Sequence, residues 1–229
     1  MSRWDDARRE VLEVSQEMWR RGLVSGSAGN ASLRLPPLEG RPLLAITPSR
    51  KDYQRLTLEQ VQVVDFEGEP VEGEMIPSVE TMLHVAVYRA RPDVAGVIHT
   101  HSTYASVLAV VGLELPPILD ELVLVTGGPV AVAEYAFSGT EELAERAVRA
   151  LGERNAVLLR NHGVLGAGAS LREALAVCEL VERAAQVYVL ARLLGSTTSL
   201  PAEVPALPAE VIEVEQQLFR MLHGLPPKG

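Results

Sequence analysis

Short apolar runs bounded by turn residues alternate along this chain with longer amphipathic segments, and that alternation restricts the fold more than any other feature. Runs at 31–35, 43–47, 61–66, 94–99, 123–125, 130–133 and 156–160 have the length and character of strands. Between them, apolar residues recur at three- and four-residue steps. Residues 5–21 carry Ala7, Val11, Val14, Met18 and Trp19 on one face, and residues 77–90 carry Val79, Met82, Leu83, Ala86 and Val87. Further helices are predicted over 104–111, 140–151, 170–194 and 209–222, with Gly22 and Pro92 as stops and Ser170 as an N-terminal cap. Leu165 continues the 156–160 strand across the turn Asn161-His162-Gly163. Helices interleaved with short strands predict an α/β architecture, a sheet covered on both faces, with no strand order legible.

The 229 residues suffice for one large core. Residues 1–195 are read as the catalytic domain, and 196–229 as a connector and helix of the same domain, with the closing LPPKG loose. A net charge of -9 gives no electrostatic reason to expect nucleic acid or an anionic membrane as partner. No apolar run is long enough to span a bilayer, and MSRWDDARRE has no apolar stretch behind its charges. Cys178 is the only cysteine and reads as a small core residue. A cytoplasmic protein is expected.

His99-Thr100-His101 closes the fourth of the apolar runs named above. Side chains two apart on a strand leave the same face, so both imidazoles can converge on one ion. His162, in the turn after the 156–160 run, is the natural third ligand, and three histidines with open positions form a catalytic rather than a structural zinc pattern. Cobalt, manganese or iron suit the same donors. His84 and His223 stand alone, and His84 is read as structural.

In order along the chain, Ser27-Ala28-Gly29-Asn30, Ile46-Thr47-Pro48-Ser49, Pro77-Ser78-Val79-Glu80, His99-Thr100-His101-Ser102 and Asn161-His162-Gly163 closely resemble the class II aldolase/adducin family. The resemblance implies a three-layer α/β/α fold around a mixed, largely antiparallel sheet, and a homotetramer with active sites between subunits. It implies Zn2+ on His99, His101 and His162, with Glu80 as catalytic acid/base. It also implies substrate phosphate held by Gly29, Asn30, Thr47, Ser49 and Ser78. The small residues and hydroxyls of that set are physically suited to an anion. The reaction implied is cleavage of a phosphorylated ketose to dihydroxyacetone phosphate and an aldehyde through a metal-bound enediolate. Decarboxylation of a 3-oxo-tetronate phosphate and 4-epimerisation of a pentulose phosphate are the alternatives within the family. A non-catalytic, adducin-like assembly module is the alternative of another class.

Three departures mark the chain. Arg50 stands where the family's aldolases have glycine; it either meets the phosphate or a substrate carboxylate, or points to solvent beside Lys51. Val79 replaces a second phosphate-binding serine. The family's two catalytic tyrosines are unmatched, one aligning near Asp120 and Glu121, the other near His223, a residue type able to donate a proton.

Overall fold

Successive side chains of residues 43–46 go to opposite faces: Leu43 and Ala45 enter one core, Leu44 and Ile46 another. The same alternation separates Val63 from Val64, Val97 from Ile98, and Leu158 from Leu159. A strand apolar on both faces needs cover on both, and the computed structural model, which describes residues 2–197 and 203–227, supplies it.

The described strands are β1 (Asn30–Leu38), β2 (Arg41–Ile46), β3 (Gln62–Asp65), β4 (Pro70–Glu72), β5 (Gly96–Thr100), β6 (Val132–Ala133), β7 (Ala156–Leu159) and β8 (Gly163–Gly168). The helices are α1 (Asp5–Arg20), α2 (Thr81–Ala90), α3 (Thr103–Val111), α4 (Asp120–Thr126), α5 (Glu141–Leu151), α6 (Leu171–Thr197) and α7 (Ala209–Leu222). The strands form one sheet in the order β4-β3-β2-β1-β5-β8-β7-β6, antiparallel throughout except for the parallel pair β6–β7. Helices α2 and α5 cover one face through Leu83, Val87, Leu143 and Ala147, while α1, α3 and α6 cover the other through Val11, Met18, Leu108 and Val181. This is the expected three-layer arrangement. Among the described residues no helix is long and apolar enough to cross a membrane.

Several local expectations are corrected. The run Val123-Leu124-Val125 is helical, within α4: Gly127 takes a left-handed C-cap and Leu122, Val123 and Thr126 share a buried face. The helix expected from residue 77 starts at Thr81, because Pro77 is held extended in a bridge to Pro48. The strand β4 had no apolar signal, and Leu165 lies in a strand of its own, β8, across a hairpin. Ser196 and Thr197 end α6 rather than begin the connector, residues 198–202 of which lie outside the described residues. Part of the closing LPPKG is tied down: Leu225 N–H donates to Arg220 O at 2.8 Å and the Arg220 guanidinium to Pro226 O.

Candidate active site

Strand β5 ends on the site. His99 is fully buried, and its Nδ1–H donates to Val164 O at 2.9 Å on the neighbouring strand, which leaves the Nε2 lone pair facing outward. His101 Nε2 lies 2.8 Å from His99 Nε2. The third imidazole, His162, comes from the β7–β8 turn, where Asn161 adopts a left-handed φ of 56° that asparagine tolerates better than most residues. Ring centroids of the three stand 4.6–4.9 Å apart.

Two glycines make room for this packing. A Cβ on Gly29 would come within 2.5 Å of His99 O, and one on Gly163 within 2.2 Å of Thr100 O and 3.2 Å of His99 Cε1. Gly29 also has a φ of 76°, so both its shape and its surroundings exclude a side chain. The Tyr53 hydroxyl donates to Gly29 O and pins the turn.

Glu80 completes the cluster. It is the N-cap of α2, yet its carboxylate makes no cap; it turns across to the histidines, Oε2 3.4 Å from His99 Nε2 and Oε1 3.4 Å from His162 Nε2. Asn30 Nδ2 donates to Oε2 at 2.8 Å and Ser138 Oγ to Oε1 at 2.9 Å. Burial pushes the Glu80 carboxyl up, but the neighbouring imidazoles and these two hydrogen bonds outweigh it and hold it below the usual carboxylate range. Burial pushes His99 down to about 3 against the pull of Glu80, and lowers His101 as well, helped by His162. Burial thus disfavours the charged forms of His99 and His101, while Glu80 is held ionised.

Those are the protonation states a metal ligand set requires. The three histidines each offer a nitrogen, all within 4.8 Å of one another, and the lone pair of buried His99 points at its neighbours rather than at a donor of the fold. A divalent cation fits this donor set, and imidazole suits zinc.

The residues assigned to phosphate divide. Ser49 is partly exposed beside exposed Arg50, and Ser78 Oγ accepts from Glu80 N–H at 3.2 Å, leaving its own hydrogen to donate. Backbone bonds Ser49 N–H to Ile76 O and Ser78 N–H to Thr47 O hold the two segments side by side, near the Gly29 turn. Asn30 and Thr47 are both buried: Asn30 spends its amide on Glu80 and His84, while Thr47 Oγ1 accepts from Ala31 N–H at 3.3 Å. They brace the site from inside. His223 is also set apart. It contacts Asn155 at 3.2 Å and Glu173 at 3.1 Å, beside the Arg91–Asp93 pair at the opposite end of β5, so within one chain it does not reach the histidines. Asp120 and Glu121 open α4, with Glu121 paired to Arg183. Ser138 was missed by sequence reasoning, since a serine in a loop before α5 carries no motif of its own.

A family model described as the class II aldolase and adducin N-terminal domain matches residues 9–189. A 5-deoxy-D-ribulose 1-phosphate aldolase of Bacillus thuringiensis serovar kurstaki is 35% identical over 196 residues, 86% of this chain and 90% of the relative. The L-fuculose phosphate aldolase of Escherichia coli O6:H1 is 34% identical over 212 residues, 93% of each chain. A solved structure of L-fuculose 1-phosphate aldolase superposes with a TM-score of 0.85 at 37% identity, covering 96% of this chain and 98% of that one.

Proposed function

The chain belongs to the class II aldolase and adducin N-terminal domain family and is a lyase, and from that premise we propose that it cleaves a ketose 1-phosphate to dihydroxyacetone phosphate and an aldehyde with the help of zinc. One observation carries the reading: a buried carboxylate, Glu80, lies 3.4 Å from two of three converging imidazoles and is held there by Asn30 and Ser138. An assembly module has no use for such a group.

His99, His101 and His162 are the ligands in this reading, and a divalent cation on them supplies a Lewis acid that draws electron density from substrate oxygens. Glu80 handles the proton. In the condensation direction its carboxylate takes a hydrogen from the hydroxymethyl carbon of dihydroxyacetone phosphate. In cleavage the Glu80 carboxylate takes the proton of the C4 hydroxyl as the C3–C4 bond breaks with its electron pair on C3 and the aldehyde carbonyl forms, and Glu80 then delivers that proton to C3. Asn30 and Ser138 bond the ionised carboxylate and keep its oxygens aimed at the reacting carbon.

The phosphate is assigned to the Gly29 turn, the Ser49 and Ser78 hydroxyls and the Arg50 guanidinium. Backbone freed by glycine, short hydroxyl donors and one forked cation suit a phosphate dianion. The catalytic unit comprises 1–195, with α7 of the same domain through the Phe219 ring against Gly127 and the Arg220–Glu153 ion pair. A homotetramer with sites between subunits accords with exposed Val110, Val111 and Phe137 on segments flanking His101 and Ser138; a sedimenting mass of one chain would contradict it.

The test is product analysis on the zinc-loaded protein with L-fuculose 1-phosphate and 5-deoxyribulose 1-phosphate. Dihydroxyacetone phosphate should appear in step with loss of the ketose, and His99→Ala should abolish both metal stoichiometry and cleavage. Carbon dioxide, or a C4 epimer without triose phosphate, would overturn the aldolase reading in favour of the family's other reactions.

A further inference from the structure

His84 is fully buried, lies outside the mechanism just described, and stands in an unbroken file of polar groups that ends on Glu80. Glu80, His84 and Tyr88 are four residues apart at the start and along one face of α2; Asn30 and Ser32 are two apart on the facing side of β1. Their side chains interlock. Tyr88 OH contacts Ser32 Oγ at 2.8 Å, Ser32 Oγ contacts His84 Nδ1 at 2.6 Å, His84 Nε2 contacts Asn30 Oδ1, and Asn30 Nδ2 reaches Glu80 Oε2 at 2.8 Å. Asn30, Ser32, His84 and Tyr88 are each at most 3% exposed.

The carboxylate fixes its direction. An ionised Glu80 only accepts, so Asn30 must present Nδ2 to it and Oδ1 to His84. Oδ1 only accepts, so His84 Nε2 must carry the hydrogen, Nδ1 must be bare, and the Ser32 hydroxyl must donate to it. Tyr88 then donates into Ser32, at Oγ or at the main-chain oxygen 2.8 Å away. With the amide turned over, its oxygen would face a carboxylate oxygen at 2.8 Å inside the protein, a repulsion of two acceptors.

We propose that His84 is the positioning residue of Glu80: its Nε2–H holds the Asn30 amide in the one orientation that donates to the base. The proposal rests on the aldolase reading for its catalytic consequence, but the proton arrangement is a property of the fold. Burial pushes the His84 imidazole down to about 4, against a pull from Glu80, so the ring stays neutral and able to use one nitrogen each way.

Two measurements separate this claim from the reading it rests on. In the zinc-loaded protein, histidine-selective nitrogen-15 NMR should find His84 as the Nε2–H tautomer, whatever reaction the enzyme performs; the Nδ1–H tautomer or a charged ring overturns the proposal. Kinetically, His84→Leu should lower kcat by about tenfold to a hundredfold with KM and zinc content unchanged, the scale seen when an outer support of an active group is removed. His84→Gln, which keeps an N–H toward Asn30, should recover most of that loss and covers the case in which the leucine variant folds poorly. Because His84 acts through Asn30, His84→Leu should cost nothing further in an Asn30→Ala background. Additive losses in the double variant, or a leucine variant that loses zinc or KM instead of kcat, would refute a positioning role. Absence of dihydroxyacetone phosphate chemistry in the wild type would refute the aldolase reading and leave the tautomer result standing.

Discussion

Arg50 has a φ of 57°, a left-handed conformation that costs an ordinary L residue about 1 kcal/mol and that glycine adopts freely. The turn therefore has a shape that glycine adopts freely, while carrying a guanidinium that makes no hydrogen bond or ion pair among the described residues. In the proposed function the partner of this guanidinium is the substrate phosphate beside Ser49 and Ser78. Arg50→Ala should raise KM for a ketose 1-phosphate by about tenfold, the worth of one charge-assisted hydrogen bond, with kcat little changed. Arg50→Gly should raise KM equally without loss of thermal stability; steady-state kinetics on both variants decides, and an unchanged KM assigns Arg50 to solvent. At this scale the metal ligands were legible, because a two-residue spacing at a strand end carries its own geometry. The role of Glu80 came from family motifs alone. Asn30, His84 and Ser138 were not legible as its supports, since Asn30 and Ser138 meet it across 50 and 58 residues, and His84 meets Asn30 across 54, only once β1, α2 and the loop before α5 have docked. The four-residue spacing of Glu80, His84 and Tyr88 was the one available hint.

Among the elements, α3 bears most directly on the site because it begins two residues after His101. Its N-cap, Ser102, makes no side-chain cap. The Glu182 carboxylate from α6 does that work instead, accepting from Tyr104 N–H and Ala105 N–H at 2.9 Å each. A charge at a helix N-terminus that also satisfies two backbone donors is a strong cap. Glu182→Ala should destabilise the protein by about 1–3 kcal/mol, read as a lower urea midpoint, and weaken zinc retention against a chelator. An unchanged midpoint would mean that α3 is held by its apolar face alone. Helices α1, α3, α5 and α7 followed from periodicity to within a residue or so, whereas α4 did not. Four consecutive apolar residues, Leu122 to Val125, in a seven-residue helix look like a strand until its glycine C-cap is weighed. The start of α2 was displaced by a contact no local pattern shows, the Pro48–Pro77 bridge.

Over the whole molecule, the sheet brings chemistry from distant stretches to one end of β5: Asn30 by pairing with His99, Glu80 by the docking of α2, His162 by the β7–β8 turn and Ser138 by the approach to α5. The glycines at 29 and 163 allow that convergence. The opposite end holds His223 with Asn155 and Glu173 and serves to fasten α7. Fold class was readable from alternation, and the mixed, mainly antiparallel sheet from family motifs; strand order was not readable, because pairing depends on contacts far apart in sequence. The central claim is that the histidines with their metal and Glu80 together make and quench a carbanion. It is tested most directly by incubating the zinc-loaded protein with dihydroxyacetone phosphate in deuterated water and following the C3 hydrogens by NMR, with no aldehyde present. Stereospecific exchange of one C3 hydrogen that vanishes on chelation, returns with zinc and falls by about a hundredfold or more in Glu80→Gln is the predicted result. Exchange that survives Glu80→Gln at the wild-type rate, or no exchange in a protein holding stoichiometric zinc, would contradict it.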